Sequence, residues 1–226
     1  VNKTSTLFIH QHPYPPFIPK DANKLIVGTL PPPRFTTGDL KPNDVDFCYG
    51  SSDGQLWQIL GKIFKIDFLH ENTEAAILQR KNFLEREKIG ICDMVEVAYR
   101  DKIDASDLGI LKPKLRPMIE ILRENPSIET LLFTGGNSRN GPEYLFRRLL
   151  KSYRDIQLKK VSLETPKIHQ FLLEGRSIKT VSLTAPSGSA NRAVGSMSLY
   201  KFLKSKNKDF TTIDFRVLQY EPYFTT

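Results

Sequence analysis

Four groups of residues in this sequence could do chemistry together, and each stands where an apolar run stops. Leu25-Ile26-Val27 runs into Gly28-Thr29-Leu30 and then into Pro31-Pro32-Pro33. Ile91-Cys92 runs into Asp93, and Leu131-Leu132-Phe133 into Thr134-Gly135-Gly136. Thr180-Val181-Ser182-Leu183-Thr184 runs into Ala185-Pro186-Ser187-Gly188-Ser189. Glycines at such ends let a ligand approach the main chain, and N–H groups leading into a helix can hold negative charge. Any one of these groups reads equally well as a turn. Four of them at the ends of parallel strands would share one edge of a sheet, where open α/β folds bind their ligands. The expectation is a site for a nucleotide base.

The apolar runs that carry these groups are short and largely β-branched, as strands buried on both faces are. The prolines after Gly28 end the first strand, because they lack the N–H of a sheet ladder and fix φ. An acid within the second run, Gly90-Ile91-Cys92-Asp93-Met94-Val95, is costly unless paired or at the strand end, so Asp93 is placed at the end. Between the strands, apolar residues recur at helical spacing. Leu56, Ile59, Leu60, Ile63 and Phe64 predict a helix over 55–65, with Trp57 near its start as core or as a stacking residue. A second helix spans about 73–87 with Asn72 as its N-cap. Pro113 and Pro142 each stand where a proline opens a helix. A last helix near 193–204 would bury Met197, Tyr200 and Leu203. Residues 98–112 read as polar loop, 157–171 as an edge strand or an irregular excursion, and 216–220 as a final edge strand.

The alternation of strand and helix predicts one three-layer α/β domain over residues 1–226, with right-handed crossovers. Residues 1–23, rich in proline and aromatics around His10-Gln11-His12-Pro13-Tyr14-Pro15-Pro16-Phe17, read as an extended arm on its surface. The long loop over 35–53 is either functional or disordered. Its aromatic pair Phe47 and Tyr49 argues for order.

Composition narrows the function. The formal charge is +8 and the pI about 9.4, which favours nucleic acid as partner over an anionic membrane or ribosomal RNA. No apolar run approaches the roughly 20 residues of a membrane span, and no signal peptide is evident. Two cysteines, Cys48 and Cys92, are too few for a disulfide framework, so a cytoplasmic protein with reduced thiols is expected. Four scattered histidines without metal-ligand spacing predict no metal and no cofactor. GxxxxGK[ST], GxGxxG and GxSxG are all absent, which argues against a triphosphate cradle, a dinucleotide cradle and a hydrolase elbow.

Taken in order, Gly28-Thr29-Leu30-Pro31, Tyr49-Gly50 before Gln55-Leu56-Trp57, Gly90-Ile91-Cys92-Asp93-Met94-Val95 and Ala185-Pro186-Ser187-Gly188-Ser189-Ala190-Asn191 resemble the uracil-DNA glycosylase superfamily. The likeness runs from about His12 to Leu203 and is nearest the mismatch-specific and hypoxanthine-DNA glycosylase branches. It implies a four-stranded parallel sheet in the order 2-1-3-4 between helices. It also implies metal-free hydrolysis of the N-glycosidic bond of a deaminated or mismatched base flipped out of DNA. Tyr49 takes the place of the family's stacking aromatic, and Asp93 lies beside the base or simply bonds a loop. Gly28, Thr29, Leu30 and Ser187 would line the base, with main-chain N–H groups near Gly28, Thr29 and Ser189 offsetting the charge of the leaving base. Ser187, Gly188, Ser189, Ala190, Asn191 and Arg192 would grip the strand and fill the gap.

The chain departs from the family pattern at Thr29-Leu30 and at Gly54, where the branches carry asparagines, and at Ser51-Ser52, where His-Pro is usual. Asp53, beside Gly54, is the candidate general base and equally a candidate N-cap for the following helix. A monomeric DNA glycosylase acting on duplex or single-stranded DNA is the first expectation. The alternatives are an inactive nucleic-acid- or base-binding module of the same fold, and an enzyme on a free nucleobase or nucleotide.

Overall fold

The computed structural model describes residues 7–225. Its centre is a six-stranded sheet. The strands with buried runs lie side by side and parallel: β2 (Lys24–Gly28) pairs with β3 (Ile89–Asp93) and β6 (Thr130–Phe133), and β6 with β9 (Arg176–Ser182). A hairpin of β8 (Lys167–Leu173) and β7 (Lys159–Ser162) adds two antiparallel strands beyond β9, giving the order β3-β2-β6-β9-β8-β7. The sheet is therefore mixed and wider than the four-stranded 2-1-3-4 arrangement expected, although its four parallel strands keep that neighbour order. The ambiguous stretch 157–171 falls largely in this hairpin. Glu174 and Gly175, both at positive φ, form the two-residue turn that joins β8 to β9.

Alternation along β2 shows why the sheet is buried on both faces. Leu25 and Val27 pack into one apolar cluster with Phe133, Leu145 and Phe146, while Ile26 packs into another with Ile91, Leu60 and Phe83. The first cluster is covered by α4 (Met118–Glu124) and α5 (Pro142–Leu150). The second is covered by α2 (Leu56–Phe64), α3 (Glu74–Arg86) and α8 (Thr212–Phe224). Helices thus lie on both sides, as the alternation of elements predicts.

Several local expectations are corrected. Residues 98–112 are not a polar loop throughout: β4 (Val95–Arg100) and β5 (Leu111–Leu115) form an antiparallel sheet with β1 (Phe8–Gln11) from the N-terminal arm. The arm is thus a strand carrying the buried His10, and its first six residues lie outside those described. Pro113 sits within β5 rather than opening a helix, and α4 starts five residues later. Thr73, not Asn72, caps α3, accepting from the Ala76 N–H. The last predicted helix is two helices, α6 (Asn191–Ser196) and α7 (Ser198–Lys206), and α7 buries no residue. Residues 216–220 form part of α8, not a strand; the run has helical periodicity once Phe215, Tyr220 and Phe224 are taken together.

The loop over 35–53, entered through the short helix α1 (Pro33–Thr37), is ordered by a buried charge. Asp44 is fully buried and accepts from Arg34 Nε at 2.6 Å and Nη2 at 2.9 Å, and from the N–H groups of Lys41 and Ser52. Burial works against its ionisation, but the Arg34 guanidinium and those N–H groups offset it and hold the carboxyl well below the usual carboxylate range. Because the folded-state pKa is depressed, this stabilisation is present at neutral pH and is lost as pH falls below about 4. Asp44→Asn is expected to cost about 2–3 kcal/mol at pH 7 and progressively less at pH 3. Urea unfolding at the two pH values measures both, and an equal cost at each would contradict the charge-based account.

Candidate active site

Three of the predicted residues meet at the end of β2. A Cβ on Gly28 would overlap the Tyr49 hydroxyl and Asp93 Oδ1, and would lie 2.9 Å from Tyr49 Cζ. Only glycine leaves room for both side chains. Tyr49 is delivered there by a tight turn in which Val45 N–H donates to Gly50 O and Gly50 N–H to Phe47 O. A Cβ on Gly50 would run into the Val45 carbonyl, which explains the glycine beside the tyrosine. Tyr49 itself holds φ +56°, in the left-handed region that a bulky L residue rarely adopts. Such strain persists where surrounding structure over-determines it, often at functional sites. The Tyr49 hydroxyl bonds Thr134 Oγ1 at 2.7 Å, joining the first and third strand ends. Burial and the Asp93 charge push the phenol's pKa up, so it stays protonated.

Asp93 is buried at the end of β3 and bonds His12 Nε2 at 2.9 Å. The Tyr14 N–H donates to His12 Nδ1, so the proton on Nε2 faces the carboxylate. This pairing lets an acid sit at the end of a core strand, and it comes from the arm.

A second carboxylate reaches the same edge. Beyond β3 the pairing continues, with Met94 N–H donating to Gly28 O and Val95 N–H to Thr29 O. β4 then carries the chain outward, and a 3-10 turn at Asp107–Gly109 brings it back. Asn140 Nδ2, from the loop after β6, donates to the carbonyls of Asp107 and Ile110 and pins that turn. The Thr29 hydroxyl donates to Asp107 Oδ2 at 3.4 Å. Burial pushes the Asp107 carboxyl up to about 6; the Thr29 bond and the buried Arg100 pull the other way, while the Asp93 charge adds to the rise. Behind it, Arg100 Nε donates to Nδ1 of the buried His10, whose pKa burial and Arg100 lower to about 4.

Asp107 lines a cavity of about 200 Å³ with Thr134, Gly135, Thr184, Val194 and Met197. This volume is below the roughly 300–1,000 Å³ of common drug-sized sites and suits a small planar group. A larger groove, about 420 Å³, lies beside Trp57, Lys65 and His70 and contains none of the strand-end residues.

The remaining predicted residues separate into groups. Thr29 is buried with its hydroxyl on Asp107, while Leu30 is half-buried and packs onto the core. Ser187 forms a bridge with Gly54, and its hydroxyl is 3.0 Å from that of Ser189. Gly188, Ser189 and Ala190 form a 3-10 turn, Asn191 opens α6, and Arg192 is exposed. Asp53 does not join the cluster. Its side chain is 61% exposed and pairs with Lys41 Nζ at 2.7 Å and Arg34 Nη2 at 3.1 Å, which lowers its pKa. Neither does it cap α2: Gln55 holds the N-cap position, and no side chain bonds the helix there. Asp107, which no motif in the sequence marks, is the acid that lines the cavity. The alternation Val95, Val97, Tyr99 marks the strand that precedes it but does not say where the returning turn places residue 107.

No family model and no curated protein sequence matches the chain. Among solved structures, it is similar to the solution structure of a "putative Uracil DNA glycosylase" from Methanosarcina acetivorans, at 15% identity and a TM-score of 0.57. The match covers 95% of this chain and 98% of that one. What the two share is the fold, a mixed α/β sheet between helices.

The site carries a stability cost. Between about pH 4 and 6 folded Asp107 keeps a proton that the unfolded chain has lost, so its contribution to stability falls as pH rises through that window. Asp107→Asn is expected to stabilise the protein by about 1–2 kcal/mol at pH 7.5 and to have little effect near pH 4. Denaturant titration at both pH values reads this, and destabilisation at pH 7.5 would contradict the assignment.

Proposed function

We propose that this protein is a DNA glycosylase that hydrolyses the N-glycosidic bond of a flipped deaminated or mismatched base of the uracil or hypoxanthine class. The observation that carries the reading is Asp107, a carboxyl with its pKa near 6 in a base-sized cavity at the strand ends. The fold likeness to the Methanosarcina protein, the basic charge and the ordered motifs support it. In this reading Asp107, ionised above about pH 6, accepts a proton from the attacking water and faces the cationic sugar that forms as the bond breaks. The role passes from Asp53 to Asp107, because Asp53 is occupied by two surface cations. Tyr49 acts from behind the cavity wall, holding Thr134 through its hydroxyl, and Asp93, fixed by His12, stands at the neighbouring strand end. Residues 187–192 engage the strand.

The test is incubation with oligonucleotides carrying uracil, hypoxanthine, xanthine or a G·T mismatch, scored for abasic sites. Wild-type kcat/KM should rise with pH through about 6. Asp107→Asn should lower excision by about a thousandfold or more while DNA binding survives, and Asp53→Asn should stay within about threefold of wild type. The reverse ranking of the two variants would return the role to Asp53. Gly54, which has no side chain to hold a water, favours a second reading, a base-binding module without turnover. In that case DNA binds with a steep salt dependence and no abasic site forms.

A further inference from the structure

The loop that follows β9 is shaped from below by one face of α8. Arg216, Gln219 and Tyr220 stand at i, i+3 and i+4 and so share that face. Gln219 Oε1 accepts from the Thr184 N–H at 2.8 Å and from its hydroxyl at 3.0 Å, and the Tyr220 hydroxyl donates to Thr184 O at 2.5 Å. Arg216 goes further into the loop. Its Nε donates to Ala185 O at 2.9 Å, Nη2 to Ser187 O at 3.3 Å, and Nη1 to Asn191 Oδ1 at 2.8 Å and Thr212 O at 3.2 Å. The residue is fully buried. Among the described residues it has no carboxylate partner, and its bonds go to neutral acceptors.

A buried guanidinium is costly, and here three of its four bonds are spent on the loop and its exit. Two consequences follow. The carbonyls of Ala185 and Ser187, and the Asn191 side chain, are held inward on a cation and are not turned toward a phosphate. The charge also lies uncompensated beneath the segment that must approach a polyanion. α8 is itself fixed by the Thr211–Asp214 capping box and by the Lys62–Asp214 pair to α2. α2 in turn starts where Gln55 N–H bonds Pro186 O at 2.8 Å.

We infer that Arg216 is a positioning residue, which through its planar fork sets the 185–191 loop in the shape that engages a nucleic-acid strand. This rests on the nucleic-acid reading above and adds to it a residue that touches neither base nor strand. Lysine keeps the charge but cannot reach three separated acceptors, so the fork is separable from the charge.

The test compares wild type, Arg216→Lys and Arg216→Met for affinity toward a duplex carrying one abasic-site analogue, with amide hydrogen exchange on the same samples. Both variants should bind about tenfold more weakly. Amides of 186–191 should exchange about tenfold faster, with those of β2 and β6 unchanged. Excision at saturating DNA should stay within about threefold, with the same pH profile. Affinity that is unchanged in both variants, or restored by lysine, overturns the inference alone. Wild-type protein that binds no duplex overturns the nucleic-acid reading and this inference with it. Should the methionine variant fail to fold, the lysine variant carries the comparison.

Discussion

The site depends on an atom that is missing. Because Gly28 has no Cβ, a tyrosine hydroxyl and a carboxylate occupy the space at the end of the central strand. Everything else at that edge is arranged around this close approach. The loop over 35–53 is tied by buried Asp44 so that Tyr49 arrives at a strained φ, and the N-terminal arm supplies His12 so that Asp93 can be buried. The sheet provides the rigid base for both, with strand ends fixed by ladders on either side of β2.

Two carboxylates then take different environments along one edge. Asp93 is buried with a direct partner in His12, whereas Asp107 is half-buried with one long hydrogen bond to Thr29. Burial pushes the Asp107 carboxyl up to about 6, the feature on which the proposed role of this acid rests. The Asp107 carboxyl accepts from the Thr29 hydroxyl, while the turn that carries it is pinned through its main chain. Asn140 binds the turn's carbonyls, so the position of residue 107 is set without using its side chain.

The parallel strands, most of the helices and the convergence of Gly28, Tyr49 and Asp93 were legible in the sequence, because buried runs, prolines and glycines leave local signatures. Asp107 was not legible, since its placement requires two short strands, one of them containing Pro113 and thus reading as a helix start. Arg216 was hidden for another reason: Val217, Leu218 and Tyr220 make a short apolar stretch that reads as an edge strand, and only the packing of Tyr220 on Phe224 and the bonds to the 184–187 main chain reveal a helix face. Asp53 is a candidate in the sequence because it neighbours Gly54. Its position beside Lys41 and Arg34 depends on a loop fold that no short pattern encodes. Local patterns identified the elements, but long-range pairing decided which acid faces the cavity.

The most direct measurement of the central claim is a structure of the Asp107→Asn protein bound to a duplex with a single uracil. The account predicts the base extruded into the cavity bounded by Thr134 and Met197, with Tyr49 still bonded to Thr134 behind the wall and residue 107 facing the sugar. A base left stacked in the duplex, or seated in the groove beside Trp57 and His70, would contradict it.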